Sequence, residues 1–136
     1  LSQRQPQARM QSFLIVFAGA GIGGALRHAV NLLVARGLPQ SVGVSTLIVN
    51  VVGSFLMGVL IEMLALKTGA SQNWRLFLTT GLLGGFTTFS AFSLDAALLY
   101  ERGQLGGAVL YVLASMVLSL AALAAGLLIV RQATAA

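Results

Sequence analysis

The feature that most limits the fold of this sequence is a series of four apolar runs, each long enough to cross a lipid bilayer as a helix. A spanning α-helix needs roughly 20 consecutive, mostly apolar residues, because it rises about 1.5 Å per residue across a hydrocarbon core about 30 Å thick. Polar segments separate the runs, which cover residues 12–35, 42–66, 76–99 and 105–130. The pattern predicts an all-α membrane protein with four transmembrane helices and short loops.

The composition of the 136-residue chain indicates the same class. Hydrophobic residues make up 57% of it and charged residues 8%, against roughly 25% charged residues in soluble domains. We expect no catalysis, because the chain has no Cys, one His, three carboxylates near the span ends, and no phosphate-binding loop or metal-ligand spacing. The net charge of +5 would suggest nucleic acid in a soluble chain, but here the basic residues mostly flank the spans, so no nucleic-acid partner is expected.

A single domain is expected over residues 12–131, followed by a short tail at 132–136. The leader, residues 1–11, is polar and has no hydrophobic period, so we expect it to be disordered and in part not native. Residues that favour turns lie between the spans, at Pro39, Gly43, Gly69 and Gly103.

The third run contains the segment GLLGGFTTFSAFS, residues 81–93, which is a poor sequence for an uninterrupted helix. The glycines Gly81, Gly84 and Gly85 weaken helix propagation, and the hydroxyl side chains can bond to the backbone groups that are freed. In a bilayer such an interruption is stable only where protein or water covers it. We therefore expect a third helix that is broken mid-membrane. A small-residue helix interface with aromatic packing explains the same residues equally well.

Two other spans carry polar residues spaced four apart, which places them on one helix face. The second span has Thr46, Asn50 and Ser54, and the fourth has Tyr111, Ser115 and Ser119. Such side chains can line a pore or bond to neighbouring helices, and the pattern leaves both readings open.

Arg27 lies in the second half of the first span, where a charge is costly unless it pairs, snorkels or lines a watery vestibule. A functional role is our default, with a snorkelling side chain as the alternative. His28 has no second His or nearby carboxylate beside it, so a metal site is not expected there. Glu62, near the end of the second span, can reach the membrane interface, where Lys67 could neutralise it.

The basic residues that flank the spans are spread over both ends of the bundle. One end would carry Arg4, Arg9, Lys67, Arg75 and Arg131, and the other Arg36 and Arg102. Without the leader the excess shrinks to three against two, which is too weak a bias to fix one orientation in the membrane.

Three motifs carry a resemblance to a known family: GGALRH in the first span, NVVGSFLMG in the second and GLLGGFTTFSAFS in the third. They closely resemble the Fluc (CrcB-type) fluoride channels of bacteria, and the four-span layout extends the match over essentially the whole chain after the leader. The resemblance implies a dual-topology homodimer of antiparallel subunits in the bacterial plasma (inner) membrane. It also implies two fluoride pores along the subunit interface, a structural Na⁺ on the dimer twofold axis, and passive, fluoride-selective export of cytoplasmic fluoride.

By motif position, the resemblance implies a role for each candidate residue. The pore would take its ring pair from Phe89 and Phe92 and its amide from Asn50, with Thr46 and Ser54 on the same face. The polar track of the fourth span would be Tyr111, Ser115 and Ser119, and the Na⁺ ligands would be the carbonyls of Gly84 and Thr87. His28 departs from the family, in which an aromatic residue often follows the arginine, and this weakens the vestibule role of Arg27.

Two other functions are considered. A proton-coupled exporter that resembles the small multidrug resistance proteins would also have four short spans, but it needs a carboxylate deep in the first span, where this chain has Arg27 and no acid. A structural membrane subunit explains the apolar composition, but it does not explain why polar stripes recur on three helices.

Overall fold

The structure is a computed structural model that describes residues 4–38, 41–67 and 69–135. The predicted turn residue Pro39, the first three residues of the leader and the final residue of the tail lie outside the described residues. Six α-helices and one π-helical segment, π1, follow in order: α1 Arg4–Gly37, α2 Val44–Leu66, α3 Gln72–Leu76, π1 Phe77–Leu83, α4 Gly84–Phe86, α5 Phe89–Glu101 and α6 Leu105–Ala135.

Within the described residues, four helical stretches are long and apolar enough to cross a membrane. They are Pro6–Gly37, Val44–Leu66, Gln72–Glu101 and Leu105–Ala135. The prediction of an all-helical, multi-pass membrane protein with four spans is therefore confirmed.

The first helix begins at Arg4, so residues 4–11 are helical where the sequence predicts a disordered leader. Pro6 is compatible with this start, because the first four N–H groups of a helix have no acceptor within the helix and the missing N–H of proline costs little there. The following residues continue the helix without a glycine or proline until Gly19.

Three predicted turn glycines adopt the left-handed backbone that favours glycine. The φ angles are 88° at Gly43, 104° at Gly69 and 74° at Gly103. Gly43 also lies against the ring of Tyr111, where an added Cβ would come 2.5 Å from Tyr111 Cε2.

The four spans pack as two pairs, and the two spans within each pair run parallel to one another. The first pair is α1 with π1 and α4: a Cβ at Gly19 would lie 2.7 Å from the carbonyl oxygen of Phe77, and one at Gly23 would clash with the carbonyl oxygen of Leu82. This close approach is what the small-xxx-small spacing of the first span predicts. The second pair is α2 with α6, in which Gly58 and Gly126 let the two backbones touch.

The parallel run of α2 and α6 brings their C-terminal ends together and produces an ion pair that the sequence analysis missed. Arg131 Nε lies 3.0 Å from Glu62 Oε1. Arg131, and not the Lys67 suggested by the sequence, forms the ion pair with Glu62. Lys67 ends α2 in an extended conformation, whereas Arg131 lies on the neighbouring helix at the same height as Glu62.

Much apolar surface stays uncovered in the single chain. Val49 is fully buried, while Phe13 and Phe17 are 73% and 79% exposed. A chain with four apolar spans places such side chains against lipid or against another subunit.

Candidate ion pathway

Two threonines separate the two halves of the third span. Thr87 (φ −78°, ψ 159°) and Thr88 (φ −153°, ψ 119°) have extended backbones between the end of α4 at Phe86 and the start of α5 at Phe89. Thr88 begins α5 as its N-cap, because its Oγ1 accepts a hydrogen bond of 3.2 Å from the N–H of Ala91. The glycines lie before this point, with Gly81 in π1 and Gly84 and Gly85 in α4.

Asn50 on α2 forms the main tertiary contact to the extended residues. Its Nδ2 donates to the carbonyl oxygen of Thr88 at 2.9 Å, and the N–H of Thr88 donates to its Oδ1 at 2.8 Å. Because a backbone N–H and C=O away from water must find partners, this paired contact stabilises the extended conformation. The amide keeps one N–H for another acceptor, since its NH₂ group carries two donors.

The same hydrogen bonds redirect two donors that a regular helix would use. In a continuous helix the carbonyls of Gly84 and Thr87 would accept from the N–H groups of Thr88 and Ala91, four residues further on. Those N–H groups donate instead to Asn50 Oδ1 and to Thr88 Oγ1. The two carbonyl oxygens that the resemblance implies as cation ligands therefore lack their regular helical donors.

A groove of about 420 Å³, which we call the phenyl groove, opens beside the two threonines. It brings together side chains from the second, third and fourth spans, including six of the predicted pore residues. Its lining comprises Asn50, Gly53, Ser54, Met57, Thr87, Thr88, Phe89, Phe92, Ser115, Met116, Ser119, Leu120 and Leu123.

Two phenyl rings form the aromatic wall of the phenyl groove. The centroids of Phe89 and Phe92 are 5.3 Å apart and their planes are tilted by 48°. Phe89 is 79% exposed in the single chain, whereas Phe92 packs against Tyr111 with centroids 5.6 Å apart. The edge of an aromatic ring carries a partial positive charge that can face an anion, and both rings line the groove.

Tyr111 is placed differently from its predicted pore-lining role. It is 8% exposed and lies behind Phe92, outside the lining of the phenyl groove. Its hydroxyl donates to Asp95 Oδ2 at 3.2 Å. Asp95, for which the sequence pattern indicates no role, follows Phe92 by three residues and so lies on the same face of α5.

Ser115 has a buried hydroxyl at the phenyl groove. It is 6% exposed, and its hydroxyl, which lies near that of Tyr111, forms no hydrogen bond of acceptable geometry among the described residues. Leaving a buried hydroxyl unpaired costs about 1–3 kcal/mol, so such a group is available to bind a ligand or a water molecule that enters the groove.

The remaining predicted residues, Arg27 and Thr46, line a second groove of about 430 Å³, which we call the arginine groove. Its full lining is Arg27, Asn31, Thr46, Val49, Thr88, Ser90, Ala91 and Leu94. Because Thr88 lines both grooves, the hydrogen-bonded pair of Asn50 and Thr88 lies where the two grooves adjoin. Asn31, which the sequence analysis did not select, is four residues after Arg27 and on the same face of α1.

Comparison with known proteins identifies the family. Residues 14–127 match the family described as CrcB-like protein, Camphor Resistance (CrcB). The fluoride-specific ion channel FluC of Granulibacter bethesdensis is 57% identical over 122 residues, which are 90% of this chain and 96% of that protein. The fluoride-specific ion channel FluC of Methylobacterium nodulans is 54% identical over 123 residues, covering 90% of this chain and 98% of that protein.

A third similar protein, the fluoride-specific ion channel FluC 2 of Nitrobacter hamburgensis, is 51% identical over 123 residues, covering 90% of this chain and 99% of that protein. These matches extend over the spans that build both grooves. The chain, a multi-pass membrane protein, therefore belongs to the CrcB-like family.

Proposed function

We propose that the protein is a passive, fluoride-selective ion channel that exports cytoplasmic fluoride across the bacterial plasma membrane. The names of the similar proteins support the choice of ion. The observation that carries the proposal is the phenyl groove, in which an amide, hydroxyls and two phenyl rings from three spans meet. A channel is not an enzyme, which agrees with the sequence-based expectation of no catalysis.

The chemistry of the phenyl groove suits a small, strongly hydrated anion. Asn50, Ser54, Ser115 and Ser119 offer neutral N–H and O–H donors, and the rings of Phe89 and Phe92 offer positive edges. Neutral donors replace the hydrogen bonds of water without the deep electrostatic minimum that a buried cation would create. Several weak contacts in series therefore favour passage over trapping.

We also propose that the channel is a dual-topology homodimer of two antiparallel subunits with two pores. The phenyl groove is open along one side, and Phe89 is mostly exposed in the single chain, so a second subunit is needed to close the path. The weak charge bias of the loops permits both orientations. A twofold pair then reproduces the inverted symmetry that longer transporters carry within one chain.

Orientation can be tested with a single cysteine, because the chain has none of its own. A Gln72→Cys variant places the thiol on an exposed residue at the start of α3. In a dual-topology population, an impermeant maleimide modifies this position from both sides of the membrane. Modification from one side only contradicts the proposal.

The structural cation belongs to the same proposal. Carbonyl oxygens are the ligands that hard cations prefer, and those of Gly84 and Thr87 lack their regular helical donors. In an antiparallel dimer the equivalent pair from the second subunit would complete four oxygens for Na⁺. Prolonged Na⁺ removal should abolish fluoride flux and lower the thermal stability of the dimer, whereas full activity in Na⁺-free protein contradicts the site.

The alternative, a proton-coupled exporter, receives no support from the first span. That span contains no Asp or Glu, and Arg27 lines the arginine groove instead. The proposed function is tested with proteoliposomes that contain fluoride or chloride. Fluoride release without a proton gradient supports the channel, and release that requires one supports the exporter.

A further inference from the structure

A third groove, of about 280 Å³, lies at the end of the bundle where α1 ends and α2 begins. We call it the mouth groove. Its lining is Asn31, Val34, Ala35, Ser41, Val42, Ser45 and Arg102. Arg102 comes from the C-cap of α5, where its N–H bonds to the carbonyl oxygen of Leu98, so the turn after α5 brings a guanidinium to the end of α1.

Arg102 is the basic residue of the mouth groove, and no salt bridge to it forms among the described residues. The residue is exposed. Over residues 4–38, 41–67 and 69–135, the ion pair that forms is between Glu62 and Arg131, at the C-terminal ends of α2 and α6. Glu101, the neighbour of Arg102, does not line the groove.

The mouth groove is the outermost of three grooves that share lining residues. Asn31 lines both the mouth groove and the arginine groove, and Thr88 lines both the arginine groove and the phenyl groove. The three grooves therefore adjoin one another in order, from the groove of the exposed Arg102, through that of Arg27, to that of the phenyl rings. The mouth groove and the arginine groove each contain an arginine, whereas the phenyl groove contains neutral donors.

We propose that Arg102, Asn31 and Ser45 form an anion-collecting site that concentrates small monovalent inorganic anions at the mouth of the pathway; the proposal rests on the fluoride-channel function. An exposed guanidinium attracts anions over several ångströms but binds them weakly. The neutral amide of Asn31 and hydroxyl of Ser45 can replace part of the hydration shell as an anion moves inward. The site would thus set the rate of capture at low fluoride, while the phenyl groove sets selectivity.

The ionic-strength dependence of fluoride flux tests this site. Proteoliposomes with wild-type protein or an Arg102→Gln, Arg102→Lys or Asn31→Asp variant are assayed at low fluoride, with potassium gluconate setting ionic strengths of about 0.01 M and about 1 M. The Debye length falls from about 30 Å to about 3 Å between these conditions. Size-exclusion elution verifies that each variant is assembled.

At low ionic strength, Arg102→Gln should reduce fluoride efflux roughly two- to tenfold, from the loss of one steering charge, and the deficit should shrink at high ionic strength. Arg102→Lys should retain most of the flux. Asn31→Asp, which puts a carboxylate beside Arg102, should show the same salt-dependent loss as Arg102→Gln. The matched control is Arg36→Gln, an exposed arginine at the same end that lines none of the three grooves, and its loss of flux at low ionic strength should be clearly smaller than that of Arg102→Gln.

Three results would overturn the collecting site: wild-type flux in Arg102→Gln at low ionic strength, an equal loss in Arg36→Gln, or a deficit that is independent of salt. If Arg102→Gln does not assemble, Arg102→Lys and Asn31→Asp decide: Arg102→Lys must retain most of the wild-type flux, and Asn31→Asp must show the salt-dependent loss of roughly two- to tenfold. Failure of the channel function itself is distinguishable, because the wild-type protein would then release no fluoride under either condition.

Discussion

Asn50 and Thr88 exchange two hydrogen bonds, from Asn50 Nδ2 to Thr88 O at 2.9 Å and from Thr88 N to Asn50 Oδ1 at 2.8 Å. The side-chain amide of Asn50 on the second span thus supplies Thr88, on the third span, with the two hydrogen bonds that helical neighbours would otherwise supply. Asn50 therefore has two tasks in our account: it holds Thr88, and it offers its remaining N–H to the phenyl groove.

The first prediction concerns Asn50→Asp. The carboxylate cannot donate to the carbonyl oxygen of Thr88, and it places a negative charge beside the phenyl groove. We expect fluoride efflux to fall at least about tenfold, equivalent to about 1.4 kcal/mol in the barrier, together with a lower melting temperature. Asn73→Asp, the same change in α3, is the control that should leave both unchanged. Wild-type efflux together with a wild-type melting temperature in Asn50→Asp would show that Asn50 serves neither task.

The second prediction separates the two phenyl rings. Phe89→Ile and Phe92→Ile keep apolar bulk but remove the positive ring edge, so both should reduce fluoride efflux severalfold. Only Phe92→Ile should also lower stability, because Phe92 packs between Phe89 and Tyr111 whereas Phe89 is 79% exposed. Phe17→Ile is a matched control with the same 79% exposure, and it should conduct normally. If all three variants conduct equally, the rings of Phe89 and Phe92 contribute only to packing.

The third prediction uses the unpaired hydroxyl of Ser115. Because this hydroxyl lies near that of Tyr111 but forms no hydrogen bond of acceptable geometry, Ser115→Ala should leave the free energy of unfolding unchanged or raise it by up to about 1–3 kcal/mol. Fluoride efflux should nevertheless fall, since one donor of the phenyl groove is lost. A variant that is less stable yet conducts like the wild type would show that Ser115 bonds within the protein.

The fourth prediction concerns Gly53, whose added Cβ would clash with the Cγ2 atom of Thr87. Gly53→Ala should push Thr87 away, disturb the carbonyl oxygens beside it and reduce both fluoride efflux and the Na⁺ dependence of stability. Gly106→Ala, where a Cβ meets nothing within 4 Å, should be tolerated. If Gly53→Ala retains Na⁺-dependent stability and full efflux, the contact between α2 and Thr87 does not position the proposed cation site.

The sequence was informative where local chemistry decides the structure. Apolar runs of sufficient length gave the number of spans, and the turn glycines have the left-handed backbones expected of them. The four-residue spacing of Asn50 and Ser54 correctly placed both on one face, which lines the phenyl groove. These features depend on helix geometry alone, so one chain is enough to predict them.

Features that depend on which helices meet could not be predicted. The parallel packing of α2 and α6 decides that Glu62 pairs with Arg131 rather than with the nearer Lys67. The position of α5 against α6 turns Tyr111 towards Asp95 and away from the phenyl groove. The division of the polar residues between two grooves has the same origin, since Thr46 and Asn50 share a face of α2 but reach different neighbours.

The central claim is most directly tested by passive anion efflux from proteoliposomes clamped with valinomycin and K⁺, with no proton gradient. Vesicles loaded with equal fluoride and chloride are diluted into anion-poor buffer, and both ions are followed with selective electrodes. We predict rapid fluoride efflux that requires valinomycin, with chloride retained and with efflux from Asn50→Asp vesicles at least about tenfold slower. Comparable chloride efflux, or fluoride movement only when a proton gradient is imposed, would contradict it.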